Sequence, residues 1–291
     1  MKTVFQETAL EEGESIMPEN EENPKKPYLP KTNPAPGSRI GAAVAVLSGK
    51  GGVGKSFTSS YLAVRLARMG YKVGILDADI TGPSIPFAFG VKGPVYTTSA
   101  QLFYPIKSKT GIEIMSSNLL LNHPDDPIVW RGPMIGTLTE QFYTEVVWDV
   151  DFLLIDMAPG TADVSLTVFQ NVALSSAVLV ATPQNLVSLI VEKSAKMAEM
   201  LSVPLVSLVE NMAYVKCPHC GERIDIYGKV DPEIAKKHGI PHFDEVPFDR
   251  EIAAHMDNGD VENLDVPYLA ETAQAIADAS GIPLPAKKES K

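Results

Sequence analysis

Ser48-Gly49-Lys50-Gly51-Gly52-Val53-Gly54-Lys55-Ser56 follows the apolar run Ala42-Ala43-Val44-Ala45-Val46-Leu47 and precedes Leu62, Leu66 and Met69 at helical spacing before Gly70. The apolar run suits a strand buried on both faces, and the segment from Ser56 to Met69 suits a helix ended by glycine. Glycines 49, 51, 52 and 54 open backbone conformations closed to other residues, so that successive N–H groups converge on anionic oxygens at a helix N-terminus. The spacing G-x-x-x-x-G-K-S in this context describes a triphosphate-binding loop made of Gly49, Lys50, Gly51, Gly52, Val53, Gly54, Lys55 and Ser56. Lys55 is expected to reach the β- and γ-phosphates of ATP, and the Ser56 hydroxyl to bind Mg2+.

Outward from this loop, apolar strand candidates at 42–48, 72–77, 112–115, 152–156, 177–182, 204–209 and 242–246 alternate with helix candidates at 56–69, 133–147, 163–174, 186–201, 231–238, 249–256 and 266–280. Such alternation predicts an α/β domain, with a mostly parallel sheet covered by helices on both faces. The chain has 291 residues, of which 45% are hydrophobic and 21% charged, enough for one large domain with a sizeable core. Residues 1–39 carry glutamates and then prolines with few large apolar side chains and read as a flexible acidic tail. The domain is expected over 40–285, with a cysteine segment at 213–228 and a short tail at 286–291.

The net charge of −11 gives a field that repels nucleic acid and anionic membranes. No apolar run reaches the length of about 18 residues that a membrane span needs, and the N-terminus lacks a basic start and long apolar stretch. A cytoplasmic protein with neither nucleic acid nor membrane as partner is the expectation.

Two strand candidates end in carboxylates. Asp151-Phe152-Leu153-Leu154-Ile155-Asp156 is an apolar strand that delivers one acid, and Asp156 is the expected Mg2+ partner. Val73-Gly74-Ile75-Leu76 runs into Asp77-Ala78-Asp79, which places Asp77 near the metal and Asp79 farther out. The two cysteines of the chain, Cys217 and Cys220, flank Pro218-His219 and are too few for a disulfide framework. Two thiolates make half of the set that a four-cysteine cluster or a tetrahedral zinc requires, so a two-fold dimer would complete either. A dithiol redox site is the third reading; the position of the pair, late in the chain after a strand, argues against it.

With Lys50 added to the loop, the sequence resembles the deviant Walker A superfamily of MinD, ParA, ArsA and the nitrogenase iron protein. Asp77-Ala78-Asp79-Ile80-Thr81-Gly82-Pro83-Ser84-Ile85-Pro86, Ile128-Val129-Trp130-Arg131-Gly132-Pro133-Met134, Met157-Ala158-Pro159-Gly160-Thr161-Ala162-Asp163, Val209-Glu210-Asn211-Met212 and Cys217-Pro218-His219-Cys220-Gly221-Glu222 are similar, in order, to segments of the Mrp/ApbC-type iron–sulfur cluster carrier ATPases. Relative to that pattern Ala158 and Ala162 replace a proline and a glycine. The resemblance implies a P-loop NTPase three-layer fold and slow ATP hydrolysis. It implies that Lys50 reaches a partner's nucleotide, that Asp79 orients or deprotonates the attacking water, and that Asn211 and Pro247 lie beside the adenine. It further implies a homodimer whose Cys217 and Cys220 bind a bridging [4Fe–4S] cluster for transfer to apo iron–sulfur proteins. The alternatives are a zinc-bridged regulatory ATPase and a MinD- or ParA-like positioning ATPase; the proline-broken C-terminus and acidic charge disfavour the latter.

Overall fold

Strand β1, Arg39–Ser48, alternates its side chains between two cores, and the rest of the fold follows from that alternation. Ala42, Val44 and Val46 join one buried cluster and Ala43, Ala45 and Leu47 the other. Both faces are apolar over residues 42–47, so helices must cover both. The computed structural model describes residues 32–79, 82–97, 102–120, 132–160, 168–183, 189–228 and 233–285. The expected acidic tail as far as residue 31, the Trp130–Arg131 segment and Asp163 lie outside the described residues.

The elements in chain order are β1; α1, Lys55–Arg68; β2, Val73–Asp77; α2, Ile85–Ala88; β3, Tyr96–Thr97; β4, Phe103–Tyr104; β5, Ile106–Lys107; β6, Glu113–Ser116; α3, Gly132–Thr144; β7, Asp149–Asp156; β8, Leu174–Ala181; α4, Leu189–Met200; β9, Leu205–Asn211; β10, Val215–Lys216; β11, Arg223–Ile224; α5, Glu233–Lys237; β12, His242–Val246; α6, Arg250–Asn258; and α7, Ala270–Ser280. The main sheet has eight strands in the order β12-β9-β8-β1-β7-β2-β6-β5. Its pairings are parallel except β5 with β6. The expected three-layer α/β architecture is therefore present.

One core holds Phe57, Tyr61, Leu62 and Leu66 of α1 and Ile276 of α7 against Val44, Phe152 and Ile75. The other holds Phe142 and Tyr143 of α3, Val191 of α4 and Ala235 of α5 against Ala45, Leu153 and Leu208. In the register, Val46 pairs with Asp156 and Asp77 pairs with Asp156, so three strand ends finish side by side where the loop leaves β1. Neighbouring strands on the two sides of β1 are reached by connections that diverge, which opens a crevice at this end of the sheet.

The structure differs from the expectation in places where local pattern and tertiary pairing compete. The helix expected to reach residue 147 ends at Thr144, because Val146 bridges Phe103 and backbone bonds tie Phe103 to Glu145 and Val147. The helix expected from 266 starts at Ala270: the backbone of Val266 is held at both N–H and carbonyl by the Tyr61 hydroxyl. Residues 32–38 were expected in the flexible tail, yet Ala35 is buried and its N–H donates to the Tyr143 carbonyl at 3.2 Å. The hairpin β3–β4 and helix α2 escaped notice because they span too few residues to show a period.

Gly74 on β2 lies against Trp148, which is wholly buried and donates its indole N–H to the Phe142 carbonyl at 3.1 Å. A Cβ at Gly74 would sit 3.0 Å from the Trp148 ring and 3.1 Å from Leu153. Gly74→Ala is expected to lower stability by about 1–3 kcal/mol; urea unfolding with unchanged slope would show it, and wild-type stability would contradict this packing.

Candidate functional site

The loop between β1 and α1 closes on itself through glycines. Gly52 and Gly54 have φ of +78° and +82°, and the first turn of α1 opens at Lys55 with no acidic residue, so its N–H groups face the crevice uncancelled. A cleft of about 290 Å³ is lined by Ser48, Lys50, Gly51, Gly52, Gly54, Lys55, Ser56, Asp79 and Pro159, among others. Gly160, at φ +89°, donates its N–H to the Ser48 carbonyl at 2.8 Å, so the strand end after Asp156 is tied to the start of the loop.

Beneath the cleft, Asp156 is wholly buried and accepts from three donors. They are Lys55 Nζ at 2.8 Å, Ser56 Oγ at 2.8 Å and Ser59 Oγ at 2.7 Å. Asp77, equally buried, accepts from Ser116 Oγ at 3.1 Å and the Asp79 N–H at 3.2 Å. Burial, and next the adjacent Asp156 carboxylate, push the Asp77 carboxyl well above the usual carboxylate range; Lys55 opposes them. A divalent cation against these oxygens would relieve the crowding of two carboxylates on one lysine. Ser56, Asp77 and Asp156 therefore fit Mg2+ by chemistry and position, and the buried Ser48 hydroxyl, which lacks a protein partner among the described residues, fits a phosphate-binding mouth.

The sequence-predicted residues divide by location. Lys50, Lys55, Ser56 and Asp79 share the cleft, and Lys50 is exposed at its rim. Asn211 ends β9 and donates from Nδ2 to the Val53 carbonyl at 2.9 Å, so it holds the loop itself. Pro247 is buried just after β12, and Asp249 caps α6 by accepting from the Glu251 N–H. Ser59 and Ser116 carry no motif and were not anticipated; they lie 97 and 39 positions from the acids they bond, a spacing that becomes meaningful only once the strands are aligned.

The cysteines stand apart from the cleft on the hairpin β10–β11, six residues beyond Asn211. Cys217 N–H donates to the Glu222 carbonyl and Gly221 N–H to the Cys217 carbonyl, both at 2.8 Å, so the turn is tight and Gly221 takes φ +75°. Cys220 is exposed, and neither thiol is in a disulfide. Backbone N–H groups of Cys220 and His219, in that order, lower the Cys217 thiol below its ordinary value, which favours the thiolate that binds metal. Among the described residues, no group of three or more His, Cys, Asp or Glu is placed to hold a metal ion. The pair supplies two of the four ligands that a tetrahedral zinc or a four-iron cluster takes. Also among them, no helix is long and apolar enough to cross a membrane.

Residues 39–280 match the family described as NUBPL iron-transfer P-loop NTPase. An iron–sulfur cluster carrier protein of Clostridium perfringens is 41% identical over 237 residues, covering 78% of this chain and 82% of that protein. A protein of the same description from Methanocaldococcus jannaschii is 41% identical over 225 residues, covering 76% and 78%. Among solved structures, a nucleotide-binding protein of Archaeoglobus fulgidus in complex with ADP, in which cobalt was found, is 41% identical with a TM-score of 0.70, covering 78% of this chain and 90% of that one. The cell-division ATPase MinD of Pyrococcus furiosus shares the fold at 19% identity and a TM-score of 0.56, over 82% and 98%.

A Cβ on Gly54 would lie 1.9 Å from Asn211 Nδ2, at a φ that L-residues adopt with strain. Gly54→Ala is expected to destabilise by the roughly 1–2 kcal/mol of a left-handed residue plus the severed Asn211–Val53 bond. In a double-mutant cycle with Asn211→Ala, measured by denaturant unfolding, the two losses should be less than additive. Strict additivity would mean that the side chain and the loop are not in contact.

Proposed function

The chain belongs to the NUBPL iron-transfer P-loop NTPase family, and on that premise we propose that it binds and slowly hydrolyses ATP and carries an iron–sulfur cluster to apo-proteins. The observation that carries this reading is the end of β9. There one side chain, Asn211, holds the nucleotide loop, and the chain then runs within six residues to a hairpin presenting two thiols.

In this reading the N–H groups of residues 49–56 and Lys55 Nζ receive the phosphates, Lys55 turning from Asp156 toward the anion. Ser56 and Asp156 hold Mg2+, with Asp77 behind them; the cation supplies charge neutralisation at the β- and γ-phosphates. Asp79, in the cleft wall, orients the water that attacks the γ-phosphorus as the bond to ADP breaks. Lys50 at the rim reaches the nucleotide of a second copy, and Asn211 Oδ1 and Pro247 lie on the adenine side. Two chains related by a two-fold axis bring four thiols together, Cys217 and Cys220 from each, around one [4Fe–4S] cluster as cargo. The functional unit is thus a homodimer whose domain spans about 40–285, and apo iron–sulfur proteins are the recipients.

Anaerobic reconstitution with iron and sulfide tests the cargo. The wild type is expected to take up both in equal amounts, and Cys217→Ala/Cys220→Ala neither; zinc without sulfide, or iron retained by the double variant, would overturn the assignment. Lys55→Ala should lower ATP hydrolysis by about 10²–10³ and abolish any effect of ATP on cluster release to an apo acceptor. Release that still responds to ATP in this variant would sink the nucleotide-gated version.

A further inference from the structure

The hairpin bearing the cysteines has two-residue strands and, standing alone, would be marginal in water. On β10 Lys216 Nζ donates to the Tyr268 hydroxyl at 3.3 Å, and the larger set of contacts to the body comes from Arg223, the first residue of β11. Its Nη1 and Nη2 donate to both carboxylate oxygens of Glu245 on β12 at 2.8 and 2.5 Å, and its Nε donates to Asp225 at 2.5 Å. The same guanidinium lies 4.2 Å over the Tyr214 ring. Glu245 stands directly opposite Glu210 in the parallel ladder, so both side chains project from one face of the sheet. Glu210 is 1% exposed and its Oε2 has no partner among the described residues.

We propose that the Arg223–Glu245 fork over buried Glu210 is a latch that positions the cysteine hairpin on the sheet edge, closed while Glu210 keeps its proton and loosened when it ionises. The groups that bear on Glu210 are Glu245 of β12, Arg223 of β11 and Asp225 after it; β8 offers Ala181 across the ladder. Three carboxylates thus converge on one guanidinium. With Glu210 neutral, Arg223 is matched to Glu245 and Asp225. With Glu210 ionised, an unpartnered charge is buried beside Glu245 and competes for the same guanidinium, and the strain is relieved by drawing Arg223 off Glu245 or admitting water under the hairpin.

Burial first, then Glu245, raise the Glu210 carboxyl from an ordinary 4.5 to about 7, against Arg223. The sign follows from a raised folded value: the contribution of neutral Glu210 is full below its ordinary 4.5 and is lost as pH rises through about 7, the fork itself needing Glu245 ionised. Glu210 and Asn211 are adjacent and face opposite sides of the sheet, so the strand end that holds the nucleotide loop on one side seats the latch on the other. The bearing of the latch on cluster handling rests on the function proposed above; the latch itself does not.

The test uses the full-length chain with reduced thiols and neither metal nor nucleotide, so failure of the cluster reading would leave its outcome intact. Hydrogen–deuterium exchange of amides 215–224, normalised to intrinsic rates, is compared at pH 6 and pH 8, with the amides of β1 as control. Wild-type protection should fall by up to about tenfold between them, Glu210→Gln should stay protected at both, and Arg223→Lys, which keeps the charge without the fork, should be weakly protected at both. A flat wild type, a Glu210→Gln profile that falls like the wild type, or wild-type protection in Arg223→Lys would each overturn the latch.

Discussion

The carboxylate of Asp156 is the constraint on which the site depends. It ends a strand buried in the centre of the sheet, and a charge held there must be fully partnered. Lys55, Ser56 and Ser59 supply the partners from the first two turns of α1. Meeting that demand docks α1 on the sheet, sets the path of the preceding loop and turns its N–H groups toward the crevice. The arrangement is also poised: burial beside Asp156 raises the Asp77 carboxyl, and a divalent cation held by these oxygens would offset both effects.

From that anchored loop the architecture extends sideways through β9. Asn211 grips the Val53 carbonyl, and the residue before it underlies the hairpin anchor. On the proposed reading, the nucleotide loop and the thiols are therefore served by one strand end. The other half of the proposed function is a matter of ligand arithmetic. In the proposed reading a second chain completes the pair of thiols, and Lys50 at the rim meets the same partner.

Much of this was legible in the sequence because the signals were local. The two-faced strand run 42–47, the glycine spacing and the apolar run ending in Asp156 each declare themselves within ten residues. Lys55 and Asp156, 101 positions apart, were both identified, though as independent ligands of nucleotide and metal rather than as each other's partner. Ser59, Ser116 and the Arg223–Glu245 fork were invisible: an ordinary serine in a helix or an arginine in a hairpin acquires meaning only from strand register. The register also explains why Val146 belongs to a bridge rather than a helix turn. Asn211 was read as facing a base, and its bond to the loop backbone could not be foreseen from a strand-end motif.

The claim at the centre of the account is that two chains complete one metal site with Cys217 and Cys220. Native mass spectrometry of the anaerobically reconstituted protein measures this directly. The account predicts a species of two chains plus the mass of a single [4Fe–4S] cluster, with subunit separation and cluster loss occurring together. A cluster retained on one chain, or a dimer that holds zinc alone, would contradict it.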